Sequence, residues 1–562
     1  RDRLRSRGLG DVYKRQVYGD VMLNFNYNIN RFDIAATVGW TGRYENMNNI
    51  RVSTNGGLVT ENWFDLNASR YTPSSTLQRM ELLKTGYMGT LSLGWDNYLF
   101  LELTGRQERS STLKDQSFFY PSANLSFLFT QAFHMPSWWN YGKLRLSYGI
   151  VGNAPETYTA NIVYEQGSDN GFTWNTIPSS WGNADIRPEK KYEYEIGLES
   201  KFLNNRLGID VSYYNNRVKD QILSTPQPST SGVKNVLMNV GEVANHGWDI
   251  SISATPILTR DFRWDLTANY GVYKNKVVKL ADGVPYLEIL NSGGSGIKIQ
   301  AVEGQPMGDI YAQVPQVNEN GEYLVSDKGL YLNQTELQKV GNINPAGVGG
   351  LFNSFSYKNV FLDFSIDFRI GGDVINEMNQ YATAVGLTPE SLKYRDTEHG
   401  GLSYYYPGDN NSSGIPVQVD PSTGVGPNGE IIYHDGIILP GVVASTGERN
   451  TRIIPAGYYY NTTYNWGTEA EQLTYRHSVF DNSYVKLREL TIGYQFPEKM
   501  ISKLGLGRLS VSVFGRNLFY FYKALKNYDA ESSVGTSWTN QATVGSSTTA
   551  TRSFGVSLRA SF

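Results

Sequence analysis

Apolar and polar residues alternate with a period of two along most of this 562-residue chain, which is the spacing of strands and not of helices. At the C-terminal end Phe554, Val556, Leu558, Ala560 and Phe562 alternate with Ser553, Gly555, Ser557, Arg559 and Ser561. Leu362, Phe364, Ile366, Phe368 and Ile370 alternate in the same way with Asp363, Ser365, Asp367 and Arg369, so charge collects on one face. The pattern predicts an all-β protein with fifteen strands, near residues 20–30, 32–46, 79–95, 97–108, 119–130, 142–152, 190–203, 205–222, 237–256, 260–279, 346–358, 359–371, 483–496, 507–520 and 551–562.

The joins between these segments alternate in length. Short ones fall at Asn30-Arg31, Asp96, Asn204, Leu258-Thr259 and Lys358-Asn359, with slightly longer ones at 131–141 and 497–506. Between them lie long joins near 47–78, 109–118, 153–189, 223–236, 280–345, 372–482 and 521–550. Interleaved short and long joins are expected of an antiparallel transmembrane β-barrel, whose hairpins turn tightly at one membrane surface and reach outward at the other. Period two alone leaves open which face is outside, and a soluble β-solenoid or sandwich array would share it. Trp95, Trp138, Trp139 and Trp264 sit at or beside short joins, where a membrane-interface girdle belongs.

Residues 1–16, with six basic and two acidic side chains and no apolar period, predict no element and read as a non-native scar. The pattern then begins in mid-strand, so residues 17–562 read as the C-terminal part of a longer barrel protein. Only 18% of the residues are charged, and 50 Lys and Arg against 53 Asp and Glu give a net charge of -3, no footprint for a nucleic acid. Absence of Cys excludes disulfides, thiolate metal sites and a cysteine nucleophile. No apolar run is long enough to predict a transmembrane helix.

Catalysis finds little support. The five histidines form neither HExxH nor a close pair, and neither GxSxG nor a phosphate-cradling GxxxxGK[ST] occurs. Glu193, Glu195, Glu199, Asp363 and Asp367 lie two or four apart on strands, the rhythm of a water-filled interior and not of a catalytic pair. No cofactor is expected. Asp409, Asn411, Ser413 and Asp420 copy part of a calcium loop, although Asp420 stands where glutamate is usual and the same residues make ordinary turns. The long joins hold Trp63, Trp174, Trp181, Trp466 and Trp538 and the runs Tyr404-Tyr405-Tyr406 and Tyr458-Tyr459-Tyr460. Such rings stack on sugars or clamp peptides, or else pack the joins themselves. Tyr404, Tyr405, Tyr406, Trp174, Trp181, Trp466 and Trp538 are the candidate cargo contacts.

Ordered segments add a resemblance: LRLSYGIVGN at 144–153, YYNNRVKDQIL at 213–223, NVGEVANHGWDI at 239–250, EGQPMGDIYA at 303–312, GGLFNSFSYKNVFLDFSIDFRIGGDVIN at 349–376, SYVKLRELTIGYQFP at 483–497, VFGRNLF at 513–519 and the terminal Phe562. Together they resemble the SusC/RagA-like TonB-dependent outer-membrane transporters. That resemblance implies a barrel of twenty-two strands, of which the fifteen here would be the last, preceded by a signal peptide, an energy-coupling box and a plug. It further implies a nutrient importer, of oligosaccharide or peptide, with no covalent chemistry. The implied partners are a SusD-like lipoprotein lid, the TonB complex reached through the N-terminal part, outer-membrane lipid, and the barrel insertion machinery, which would read Phe562 as an assembly signal. A surface-exposed β protein that binds glycan or matrix without transport is the alternative reading.

Overall fold

A computed structural model describes residues 8–114, 117–169, 172–227, 230, 232–292, 296–408, 412, 414–465, 474–502, 505–533, 535, 537–545 and 550–561. One sheet of fifteen strands dominates: β1 Gly8–Ile29, β2 Phe32–Leu58, β3 Ser69–Trp95, β4 Leu99–Ser110, β5 Ser117–Phe127, β6 Trp139–Asn153, β7 Glu189–Phe202, β8 Leu207–Lys219, β9 Glu242–Leu258, β10 Phe262–Lys279, β11 Gly347–Tyr357, β12 Val360–Ile370, β13 Tyr484–Gln495, β14 Arg508–Lys523 and β15 Ser553–Ser561. Each strand neighbours the next in sequence, a plain meander, and all fifteen predicted segments are present. The tight turns use left-handed backbone where the pattern breaks, as at Asn30 (φ 52°) and Lys358 (φ 52°), because such turns follow the right-handed twist of the strands they join.

Two boundaries depart from the sequence reading. β1 starts at Gly8, inside the stretch predicted to form no element, and its first half pairs with β2 from Gly8 opposite Ser53 to Gln16 opposite Glu45. β2 and β3 likewise run far beyond the predicted 32–46 and 79–95, pairing out to Leu58 and Ser69. These outer halves lack the apolar alternation, and polar pairs between strands join the backbone ladder there, Lys14 with Glu45 at 2.9 Å, Asn46 with Glu81 at 2.9 Å and Ser53 with Ser74 at 2.7 Å. At 27 residues each, β2 and β3 are more than twice the roughly 9–11 residues that cross a bilayer.

The two faces of the sheet differ in how their side chains are satisfied. Apolar side chains stand exposed on one, as Val21, Leu23 and Phe25 on β1 and Phe554, Val556 and Leu558 on β15. Polar ones pair across strands on the other, as Arg145 with Asp210 (2.7 Å), Ser354 with Asp363 (2.6 Å) and Arg516 with Glu489 (3.0 Å). Most deeply buried apolar residues lie not in the sheet but in the long joins.

The chain divides into two compact units, one built mainly on β1–β8 and the other mainly on β9–β15. In the first, the small cluster of Leu113, Phe118, Ala160 and Ile186 closes the base of the joins. In the second, Ile297, Ile299, Ile310, Ala312, Ile343, Ile375, Tyr475, Val479 and Ala542 form a true core within the joins.

Candidate functional site

The short-join end is lined by aromatic rings. In the first unit Phe32, Trp95, Tyr98, Phe127, Phe129, Trp139, Phe202 and Trp138 form an unbroken row, with neighbouring centroids 5.3–6.5 Å apart. In the second, Phe262, Trp264, Phe355 and Phe364 repeat the arrangement at 5.5–6.3 Å. Three of the four tryptophans read from the sequence as a girdle thus stand in the first row, and Trp264 stands in the second.

The long-join end holds the candidate cargo contacts, and the structure separates them into buried and presented rings. Tyr404 lies on the short strand Leu402–Tyr405 and is 1% exposed; its hydroxyl donates to Asp435 at 3.1 Å. Its ring stacks on Tyr433 at 5.4 Å and meets Tyr406 edge-on at 5.5 Å, and Ile453 completes the cluster. Burial and the neighbouring Asp435 carboxylate push the Tyr404 phenol far above its usual range, so it stays a neutral donor. Strand alternation puts Tyr406 on the same buried side and leaves Tyr405 half-buried. The triplet therefore offers no stacked face to a ligand in this arrangement: Tyr404 and Tyr406 are core residues, because a join of this length has to build a core of its own.

The second run behaves similarly. Helix Ala456–Tyr464 exposes Tyr458 and buries Tyr460, whose hydroxyl donates to the Glu390 carbonyl at 2.8 Å. Tyr464 stacks on His477 at 4.4 Å, and burial lowers the His477 imidazole to about 4, which keeps it uncharged at neutral pH as a packing residue.

Of the candidate tryptophans among the described residues, Trp174 and Trp538 are exposed and Trp181 is half-buried. Trp174 lies on the hairpin strand Phe172–Thr176 opposite Gly167, and its indole covers the space a Gly167 side chain would fill. Phe172, two residues before it, and Tyr164, just ahead of the hairpin, are also exposed, and Tyr164 meets Trp181 edge-on at 5.8 Å. Sequence reading missed Tyr164 and Phe172; the alternation of Phe172 with Trp174 was the available signal. In the second unit, Trp538 opens the helix Trp538–Gln541, donates its indole N–H to Asn344 at 3.3 Å and packs over Gly308. Trp466, Asp409, Asn411, Ser413 and Phe562 lie outside the described residues. The remaining calcium candidate, Asp420, accepts from the backbone and hydroxyl of Ser422 at 2.9 and 2.5 Å, an ordinary turn. Among the described residues no cluster of three His, Asp or Glu is placed to hold a metal ion.

Three of the five carboxylates considered for hydrolysis meet a cation where they stand. Glu193 meets Lys191 at 2.5 Å and Asn216 at 3.1 Å, Glu199 meets Arg145 at 3.5 Å, and Asp367 is gripped by Arg488.

Known proteins agree with this architecture. Residues 2–316, more than half of the chain, match the family described as TonB dependent receptor-like, beta-barrel. TonB-dependent receptor P3 of Formosa agariphila is 25% identical over 494 residues, covering 80% of this chain and 42% of its own. TonB-dependent receptor SusC of Bacteroides thetaiotaomicron is 30% identical over 247 residues, 40% of this chain and 24% of its own. In the open-open state of the RagAB peptide importer, a chain with 18% identity superposes with a TM-score of 0.70 over 99% of this chain and 56% of its own. This chain spans less than half the length of the curated relatives. These relatives are receptors and transporters, not enzymes. A meander of alternating joins, an exposed apolar face and the family match together place this chain in the TonB-dependent receptor β-barrel family.

Proposed function

We propose that the whole protein sits in the outer membrane and imports a nutrient, oligosaccharide or peptide, driven by the TonB system, with a SusD-like surface lipoprotein as lid over the long joins. The observation that carries this reading is the sheet itself: exposed apolar side chains on one face, ion-paired ones on the other, and long joins at every second connection. Lipid requires the first face and a wet interior the second. The aromatic rows mark the inner membrane interface of this barrel. Trp174 and Tyr164, with the half-buried Trp181 against Tyr164, and separately Trp538, are the candidate cargo contacts, since Trp174, Tyr164 and Trp538 reach the surface of the joins. Phe562 serves as the assembly signal.

Epitope tags placed in 372–482 of the full-length protein are expected to be reachable on intact cells, and tags in 497–506 only after the outer membrane is opened. The reverse labelling would overturn the orientation. Loss of growth on the cargo as sole nutrient when the gene is deleted, restored by the full-length protein, separates import from binding alone.

A further inference from the structure

Two of the segments singled out in the sequence, 483–497 and 513–519, meet at an irregularity in the sheet. Ser365 pairs with Glu489 and Ile366 with Leu487, so Arg488 is an extra residue, a β-bulge in β13. On β14 the register skips as well, and Asn517 there takes left-handed backbone with φ 54° and accepts from Arg488 at 3.0 Å. A bulge re-aims the side chain it carries, and here the guanidinium joins Lys486 on the polar face. Lys486 is almost wholly buried, its side chain 2% exposed.

Both cations converge on one carboxylate, and it comes from the β14–β15 join. Glu531 receives Lys486 at 2.6 Å and the Arg488 fork at 2.6 and 2.8 Å. Asp367 of β12 takes the other side of the guanidinium, and Lys486 also lies over the Tyr520 ring at 4.8 Å. Neighbouring contacts fix the approach: Asp529 accepts from Tyr520 at 3.0 Å and from the Glu531 amide at 2.9 Å, and Asn482 donates to the Ala530 carbonyl at 2.9 Å. Without Glu531, Arg488 would keep Asp367, whereas Lys486, which meets no other carboxylate among the described residues, would keep only the Tyr520 ring.

We propose that Glu531 is a latch: its carboxylate fastens the β14–β15 join to the sheet through Lys486 and Arg488, and so sets where Trp538, seven residues on, stands. Glu531 is a positioning residue, remote from any ligand, and its link to cargo rests on the reading of Trp538 given above. The latch is selective because its two halves differ in rigidity. Lys486 and Arg488 belong to paired strands, whereas Glu531 sits on a join that can move without breaking the sheet.

Hydrogen exchange on the full-length protein in detergent tests the latch directly. Glu531→Gln is expected to raise exchange at backbone amides of 524–545 by tenfold or more while β13 and β14 stay protected. Lys486→Met combined with Glu531→Gln removes the buried charge together with its partner, so the sheet keeps its fold and the join is still released. Unchanged exchange of 524–545 in this double variant would overturn the proposal and leave Leu525 and Val544 packing as what holds the join. Glu531→Asp, one methylene shorter but charged, is expected to restore most of the protection; no restoration would also overturn it. Uptake separates the two readings: a released join with normal uptake keeps the latch and removes Trp538 from the cargo path.

Discussion

Phe554, Val556 and Leu558 on β15 are 69–75% exposed, whereas Tyr404, Ile453 and Tyr460 in the β12–β13 join are 1–6% exposed. The strand residues are apolar in a place where a soluble protein would put polar groups, and the join residues are enclosed where an outer loop would be expected to lie open. The sheet thus relies on an external apolar medium to cover its face, while the join supplies its own interior from tyrosines and isoleucines. The difference teaches how to read an aromatic in such a chain. On a strand its face is decided by parity, and in a long join it is decided by a local core that parity does not reveal.

The largest effect that would break this comparison is expected inside the join. Tyr404→Ala removes a buried ring and should cost the join about 3–5 kcal/mol, by analogy with large-to-small aromatic truncations. Protease on intact cells should then cut within 372–482 while the sheet survives, and Tyr404→Phe should lose only the bond to Asp435, about 1 kcal/mol. Equal protease resistance of wild type and Tyr404→Ala would show that the join does not depend on this core.

Next in size is the complementary change in the sheet. Ile366→Arg puts a charge on the apolar face of β12, beyond the aromatic row at the short-join end, and is expected to cost about 2–4 kcal/mol. Ser365→Arg, the residue before it and on the polar face, should be tolerated. Heat-modifiable mobility of the outer-membrane protein measures both, and equal effects would mean that the two faces are not lipid and water.

The latch fastens a different join, β14–β15, to the sheet, and its effect is intermediate. Glu531 is about one-third exposed, so Glu531→Gln should cost about 2–3 kcal/mol of join stability, below the 3–5 kcal/mol of a wholly buried pair. Limited proteolysis of 524–545 checks the size.

Much of the sheet was legible because period two is a strong signal wherever one face meets a uniform medium. β11 and β12, predicted at 346–358 and 359–371, run from Gly347 to Tyr357 and from Val360 to Ile370. Where the medium ends the signal ends, which is why the outer halves of β2 and β3 were missed. The Arg488 bulge did leave a mark, since Arg488-Glu489 are two polar residues in succession between Leu487 and Leu490, but one break in alternation does not by itself distinguish a bulge from a polar substitution on the apolar face. Within the joins, Tyr404-Tyr405-Tyr406 announced aromatic chemistry but not its direction. Tyr433 and Ile453, which close over Tyr404, are 29 and 49 residues away in sequence, and nothing local marks such partners. Trp174 and Trp538 stood out in the sequence as rings in long joins, but what lies beneath them, Gly167 and Gly308, is a set of neighbours that only the fold supplies.

The smallest effect concerns those presented rings. Trp174 is 46% exposed and lies over Gly167, so its outer face can stack on a sugar or peptide without any rearrangement of the hairpin. Because the ring contributes little to the join's interior, Trp174→Ala should leave assembly and protease resistance unchanged. Stacking of one ring is worth about 0.5–1.5 kcal/mol, so cargo affinity should fall by about two- to tenfold. Trp174→Phe keeps a flat apolar face and should recover part of that loss, whereas Trp174→Leu keeps the apolar character but not the plane and should not. Uptake rates at sub-saturating cargo, normalised to surface abundance, distinguish these cases. Equal uptake by the alanine and wild-type proteins would remove the hairpin from the cargo path and leave Trp538 as the presented indole to be tested in the same way.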